Sequence, residues 1–580
     1  MQNSEKSRGA KLLKSYRDLR FRVKHSVKEG IERLPYQYWI AGVEKRSHSP
    51  RRIKAAMEKF RWRPLLSVVM PTYNTPIEML ELAIRSVVKQ HYKNWELCIC
   101  DDASTDARVR ECLRKWQGRD ARLKVRFAER NEGIAGASNQ ALRMAAGEFV
   151  GLLDHDDELS ANALYEVVKL LQEHPEADMI YSDEDRLDGE GRRVCPFFKP
   201  DWSPEYMLSV MYTCHFGVYR RRLMEEIGGF RMGFEGSQDY DLVLRISERT
   251  KNIFHVAKVL YHWRMAAGSA AASAEAKPYA YEAAKKALTE HLERRQIAAK
   301  AMDGELPSQY RIGFKIEGTE KISIVIAASG NKEALKNCIA SIKEKSGYKN
   351  FEVIVVVAEN GSGEEKAEKL GAQCVVRCPG NFDWTRMMNA GCRQASGKYL
   401  LLLSEDTEVI SEEWLSSMLG VCQQKEIGAA GAKLLYRNGL IEHAGMVLGL
   451  KGVAGRPLHN FPRDTKEHFG YASSMRNCSA VSAACMMVRK EVFEEIGGFD
   501  EKVSAAYNDV DFCLAVRKAG YRVVWTPWAE LYHDGAVPPE NGRKSADIPY
   551  LKKRWGKLLE NDPYYNPNLT LRHEDFGYRV

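Results

Sequence analysis

A chain of 580 residues exceeds what one hydrophobic core serves, so at least two domains are expected. With 44% hydrophobic and 28% charged residues it is not a disordered chain, and runs such as FEVIVVVA (351–358) and KYLLLL (398–403) fall far short of the ~20 residues that span a bilayer. The net charge of +9 is concentrated in residues 1–63, where 18 Lys/Arg face 6 Asp/Glu. The remainder is left near −3, which argues against a nucleic-acid binder with a basic domain face.

In that basic segment Leu12, Tyr16, Leu19, Val23, Val27 and Ile31 recur at helical steps, and Pro35 ends the pattern. A helix with this apolar stripe and flanking lysines and arginines either lies in an anionic membrane surface or docks on protein. No apolar stretch with a small-residue cleavage site follows the first charges. A cytoplasmic location, with peripheral attachment to the inner face of the cell membrane, is the expectation. The thirteen cysteines form no C-x-x-C pair and read as reduced thiols, and no Cys/His cluster is dense enough for zinc.

From Pro64 the pattern alternates. LLSVVM (65–70), WELCICDD (95–102), VRFAER (125–130) and EFVGLLDHDD (148–157) read as strands, with helices around 80–89 and 137–146 between them. The expected fold is α/β, a mostly parallel twisted sheet with helices on both faces and ligands at the carboxyl ends of the strands. The same text returns about 255 residues later. KISIVIAASGN (321–331) parallels LSVVMPTYN, ASGKYLLLLSEDTE (395–408) parallels AAGEFVGLLDHDDE, and EEIGGF stands at both 225–230 and 494–499. The expected organisation is a helical segment over 1–63, a first domain over 64–302, a linker over 303–319, a second domain over 320–540 and a C-terminal tail over 541–580.

Asp154, Asp156 and Asp157 follow the apolar strand FVGLL. Such hard oxygen ligands suit Mg²⁺ or Mn²⁺ with a diphosphate completing the shell, although an isolated D-x-D is more often an ordinary acidic turn. Asp101 and Asp102 end another strand and serve either as turn caps or as acceptors for a nucleobase N–H and ribose hydroxyls. Pro71, Thr72, Tyr73 and Asn74 end the neighbouring strand and offer backbone groups and an aromatic face. Asp239 opens the helix QDYDLVLR as a cap or a general base, and His262 in LYHWR is a core histidine or a ligand.

Taken in order, MPTYN, DDAST, NEGIAGASNQAL, LLDHDDEL, YSDED, FKPDWSPE, GGF, GSQDYDLVLR and LYHWR resemble the inverting family-2 glycosyltransferases with the GT-A fold. The likeness extends to tandem bacterial enzymes of O-antigen, capsule and exopolysaccharide assembly, rhamnosyltransferase-like members included. It covers about 64–540. It implies that Asp101 and Asp102 contact uridine or thymidine, that Asp154 with Asp156 or Asp157 holds the metal on the donor diphosphate, that Asp239 is the catalytic base, and that His262 approaches the metal or diphosphate.

The second half departs from this pattern. AASGN replaces MPTYN, Glu359-Asn360-Gly361-Ser362 replaces DDAS, and Ser404-Glu405-Asp406 replaces D-x-D. Glu359 then takes the nucleotide-binding place, Asp406 and His533 the metal-binding places, and Asp509 the place of the base. The resemblance thus implies transfer of a hexose or deoxyhexose from a nucleotide-diphospho-sugar to a glycan or lipid-linked oligosaccharide acceptor. The second domain is either a second transferase site or a non-catalytic glycan-binding scaffold. A dinucleotide-binding dehydrogenase would need G-x-G-x-x-G after the first strand, where PTYNTP stands.

Overall fold

The computed structural model describes residues 36–45, 49–265, 278–359, 371–503, 506–535 and 547–579. The stripe from Leu12 to Ile31 lies outside them. No described helix is long and apolar enough to cross a membrane.

The first sheet holds β1 (Leu66–Thr72), β2 (Trp95–Asp101), β3 (Leu123–Phe127), β4 (Phe149–Leu152), β5 (Glu158–Leu159), β6 (Met179–Leu187), β7 (Arg193–Phe197), β8 (Gly217–Arg220) and β9 (Ile253–Arg264). Their order is β3-β2-β1-β4-β8-β6-β9-β5, with β7 on β6. β1 runs parallel to both β2 and β4, whereas β8 enters antiparallel between β4 and β6. Both faces are covered, and the strand period of two shows how. Val68, Met70, Leu97 and Ile99 share a core with Leu80, Ile84, Val109 and Leu113 from the helices Ile77–Val88 and Ala107–Gln117. Val69, Cys98 and Cys100 face Ala137 and Ala141 of the helix Gly133–Met144 on the other side. Each fully buried aliphatic side chain contributes roughly 1.5–3 kcal/mol.

A hairpin of β10 (Ala299–Asp303) and β11 (Tyr310–Phe314) leads into the second sheet. That sheet comprises β12 (Ile322–Ala328), β13 (Phe351–Ala358), β14 (Cys374–Cys378), β15 (Tyr399–Ser404), β16 (Thr407–Val409), β17 (Ile427–Leu435), β18 (Ile441–His443), β21 (Arg476–Asn477), β22 (Cys485–Arg489) and β23 (Arg522–His533). β19 (Val447–Leu448) and β20 (Ala454–Gly455) form a separate ribbon. The order β14-β13-β12-β15-β22-β17-β23-β16 repeats the first sheet's arrangement.

The segments read as a linker and a tail are built into the body. Within 303–319, Tyr310 stacks on Tyr281, Gln309 Nε2 donates to Ser474 Oγ (3.0 Å), and Gly304 and Pro307 punctuate a hairpin turn. The expected tail buries Tyr565, Leu569 and Phe576. Its Asn566 Nδ2 donates to Asp183 (2.9 Å) of the first half, and its Asp562 accepts from the Leu448 amide (2.7 Å) of the second. All thirteen cysteines are free thiols, ten of them buried.

Candidate active site

β1 lies between β2 and β4, where the strand order β3-β2-β1 gives way to β4, and a reversal of this kind places a crevice at the carboxyl ends of the strands. A cavity occupies it, lined among others by Pro71, Asp154, Thr213, His215, Asp239 and Tyr261.

The loops that follow β1 and β2 are lashed together. Asn74 sits at φ 47°, its Oδ1 accepts from the Thr105 amide (2.8 Å), and its own amide donates to Ser104 Oγ (2.9 Å). Its side chain therefore shapes the loop. Thr72 Oγ1 is buried without a hydrogen-bond partner among the described residues, whereas Tyr73 exposes its ring. Asp101 is fully buried and accepts from Arg110 Nε (3.2 Å) and the Ser104 amide (3.3 Å). Asp102 accepts from the Glu132 amide (2.8 Å); burial pushes its carboxyl up, partly offset by the amides of Glu132 and Gly133.

The acids after β4 divide into two kinds. Asp157 is locked inward, with Oδ2 accepting from Tyr261 Oη (2.6 Å) and Oδ1 from the Arg264 amide (2.7 Å). Burial, with Asp154 and Asp156 beside it, raises its carboxyl well above the usual range. Tyr261 Oη also accepts from the Asp154 amide (3.3 Å) and so ties the turn to β9. Asp154 lines the cavity, and Asp156 is partly exposed on the same turn. Asp154 and Asp156 therefore fit a hard divalent cation, whereas Asp157 braces their turn. His262, the next residue on β9, places Nδ1 2.6 Å from Asp185 Oδ1.

Asp239 lines the cavity at the start of the helix Gln238–Ser247, and its Oδ1 accepts from the Tyr240 amide (2.8 Å). Burial raises its carboxyl, His215 opposes, and Asp154 adds to the rise. Sequence reasoning missed His215. Its Nδ1 lies 3.0 Å from Glu184 Oε2 and its ring stacks on Tyr261. Burial disfavours its charge, but Glu184, then Asp154 and Asp157, outweigh that and hold it up at about 9. Glu184, Cys214 and His215 each bring a ligand atom within 4.8 Å of the others. Lys199 Nζ, 3.2 Å from the same Glu184 oxygen, makes this cluster an internal ion network. Glu184 is the fourth residue of YSDED, so that motif held a signal left unread.

In the second half Asp406 Oδ1 lies 3.4 Å from His533 Nε2, close enough for one cation to bridge them. Asp509 opens the helix Asn508–Lys518 as Asp239 opens its own, and its Oδ1 accepts from the Val510 amide (2.8 Å). Glu405 instead turns back to the Ser329 amide (3.1 Å) and hydroxyl. Glu359 is exposed at the end of β13, its amide donating to the Cys378 carbonyl (2.9 Å).

Tandem α/β sheets with acids gathered at the carboxyl edge are the GT-A class of nucleotide-diphospho-sugar-binding fold. Residues 67–228 and 323–497, together more than half of the chain, match the model for Glycosyl transferase family 2, and the chain belongs to that family. It is 41% identical over 546 residues to the uncharacterized protein y4gI of Sinorhizobium fredii, covering 90% of this chain and 60% of that one. To the O-antigen biosynthesis protein RfbC of Myxococcus xanthus it is 36% identical over 557 residues, covering 94% of this chain and 43% of that one. The chain thus spans about half the length of these relatives. Among solved structures, S. aureus TarS 1–349 in complex with UDP-GlcNAc is 23% identical, with a TM-score of 0.31 over 40% of this chain and 72% of that one.

Proposed function

We propose that the chain is an inverting glycosyltransferase that moves a sugar from a UDP- or dTDP-sugar to a hydroxyl of a lipid-linked cell-surface glycan at the cytoplasmic face of the membrane. The observation that carries this reading is the convergence of Asp154, Asp239 and His215 on one cavity at the carboxyl ends of β1 and β4. Kinship to a protein named for O-antigen biosynthesis supports the surface-glycan part.

In this reading Asp101, Asp102 and the Pro71–Tyr73 loop hold the nucleoside. Asp154, Asp156 and His262 would hold Mg²⁺ or Mn²⁺. When bound there, the cation neutralises charge that develops on the departing diphosphate. Asp239 accepts the acceptor's hydroxyl proton as that oxygen bonds to C1 of the sugar from the face opposite the phosphate. The C1–O bond to phosphate breaks, a nucleoside diphosphate leaves, and the anomeric centre inverts. A carboxylate raised by burial suits this work, since its affinity for the proton lies nearer the working pH.

The second half is proposed as a second transferase site, with Asp509 as base and Asp406 and His533 at the metal. The alternative, a glycan-binding scaffold, draws on Ser404 in place of Asp154 and on Glu405 being tied to Ser329. The test is a binding screen of UDP-, dTDP- and GDP-sugars with Mn²⁺ or excess chelator, followed by transfer assays with D239N and D509N. Metal-dependent binding of one nucleotide class, with transfer lost in D239N, is the expected result. Full transfer in both variants would refute the reading.

A further inference from the structure

In the reading above the attacking hydroxyl meets the face of the sugar opposite the phosphate, so the acceptor approaches past Asp239 and not past the diphosphate. Gln238 lines the cavity next to Asp239, and its Oε1 accepts from the Gly236 amide (2.9 Å), which fixes the strap that leads to the base. The remainder of the acceptor rests on whatever borders this strap. Two large apolar side chains stand in solvent there: Met232, on the same loop and 57% exposed, and Tyr279, packed against Gly236 and 55% exposed.

Tyr279 stands in the first turn of the helix Pro278–Arg294, one face of which follows the loop before Asp239. At Gly236, where φ is 82°, a Cβ would stand 2.7 Å from Ala280 Cβ and 3.0 Å from Tyr279 Cε2, so the ring edge is seated on bare backbone. Seven residues on, and therefore on the same face, Lys286 sets Nζ over the Phe234 ring (4.3 Å). Ser237 Oγ donates to the Ala280 carbonyl (2.8 Å), and Tyr281 stacks on Tyr310 while its Oη donates to the Gln309 carbonyl (3.1 Å). The start of the helix is thus held from both sides, and the tyrosine on it still has more than half of its surface in solvent.

The second half treats the same dipeptide differently. Pro549-Tyr550, in the helix Asp547–Trp555, matches Pro278-Tyr279, and that helix likewise packs on the acid-opened helix, with Trp555 Nε1 donating to Asp511 Oδ1 (2.7 Å). There Tyr550 Oη donates to Asp500 Oδ2 (2.6 Å), and Asp500 directly follows EEIGGF. In the first half the residue after EEIGGF is Arg231, whose Nε turns to Asp241 (3.0 Å) and whose Nη1 turns to Glu290 (2.6 Å). An arginine has no acceptor for a tyrosine O–H. One tyrosine is tied back to its loop and the other is presented.

We propose that Tyr279, with Met232 on the adjoining loop, binds the acceptor of the first half: its ring receives one C–H face of a pyranose of the acceptor glycan and so holds the attacking hydroxyl toward Asp239. Sugar C–H bonds beside oxygen carry partial positive charge and the face of an aromatic ring is negative, so the two attract while the sugar hydroxyls stay in water. The proposal rests on the reading of Asp239 as the base.

Methyl glycosides of glucose, N-acetylglucosamine and rhamnose are the probes, titrated on the full chain with UDP present and read by saturation-transfer NMR. One of them should show its strongest saturation on the C–H protons of a single ring face. Y279L keeps apolar bulk on Gly236 but lacks an aromatic face, and its apparent Kd for that glycoside should rise about 2–10-fold, the worth of one aromatic contact. A half-exposed side chain of this kind is replaced at little cost in stability. Y279F should match the parent, because the ring and not the hydroxyl makes the contact, and Y550L should match it as well. UDP-glucose affinity, by calorimetry, should be equal in the parent and Y279L. Undiminished glycoside affinity in Y279L, or no saturation of any probe by the parent, would overturn the proposal. A parallel loss of UDP-glucose affinity would overturn it too, by placing the donor's sugar on the ring. Full transfer by D239N would refute the base alone, since glycoside binding is read without transfer.

Discussion

Glu205 of the first half and Arg522 of the second form a two-pronged ion pair, with Nη2 2.7 Å from Oε1 and Nε 3.1 Å from both carboxylate oxygens. Glu205 also accepts from Asn477 Nδ2, and Asn477 Oδ1 accepts from Ser203 Oγ (2.7 Å). Glu205→Ala strands a buried amide and a guanidinium, at a cost of about 1–3 kcal/mol. Because one apolar cluster runs through both halves, thermal unfolding should remain a single transition at lower temperature. Two separated transitions would show that the halves unfold independently. For the same reason, cutting the chain within 303–319 should yield halves that aggregate.

Asp239→Asn should lower transfer by the first half by about 10²–10⁴-fold, the range of general-base assistance, with donor affinity nearly unchanged. Donor binding by calorimetry beside single-turnover transfer measures both. A parallel loss of donor binding would place Asp239 on the nucleotide instead.

Asp156 and Asp157 should behave differently despite their adjacency. Asp156→Ala should weaken donor binding, with excess chelator giving the same loss in the parent. Asp157→Ala removes the acceptor for Tyr261 Oη and the Arg264 amide, so its main effect should be about 1–3 kcal/mol of stability, read by denaturant unfolding. Equal stability losses in the two variants would contradict the division between ligand and brace.

Asp509 is pushed up to about 6 by burial, against the pull of the Val510 and Ala483 amides and of Arg456. A base acts deprotonated, so transfer by the second half should fall about tenfold per unit below about pH 6 and level off above it. Stability carries the opposite sign. The folded value exceeds the ordinary 3.8, so the stabilisation from this group is complete below that value and is lost as pH rises through about 6. A kcat/KM–pH profile in the D239N background isolates this limb, and its absence would exclude Asp509 as the base.

Removing residues 1–35 should release the protein from anionic vesicles and leave donor hydrolysis unchanged. Extending the deletion through residue 45 takes away Tyr36 Oη and Glu44, the partners of the buried Asp185 and of Arg193, and should lower stability as well. Cosedimentation and denaturant unfolding of the two truncations separate these effects. Full vesicle binding by the shorter truncation would favour a docked N-terminal helix.

The repeat, the strand–helix alternation and the acids at strand ends were legible in the sequence because each is local. Apolar period, turn chemistry and motif order are written residue by residue. Local text also marked Asp154, Asp239 and His262, although it could not separate Asp156 from Asp157, whose difference lies in a tyrosine and an amide on β9, a hundred residues away. Tertiary structure alone decided what surrounds these groups. It joined 303–319 and the C-terminal segment to a core shared by both halves, set His215 between Glu184 and the cavity, and supplied His533 with Glu442 from a strand that has no counterpart in the motif list. Long-range pairs of this kind depend on which strands become neighbours, and sheet register sets that after the chain has folded.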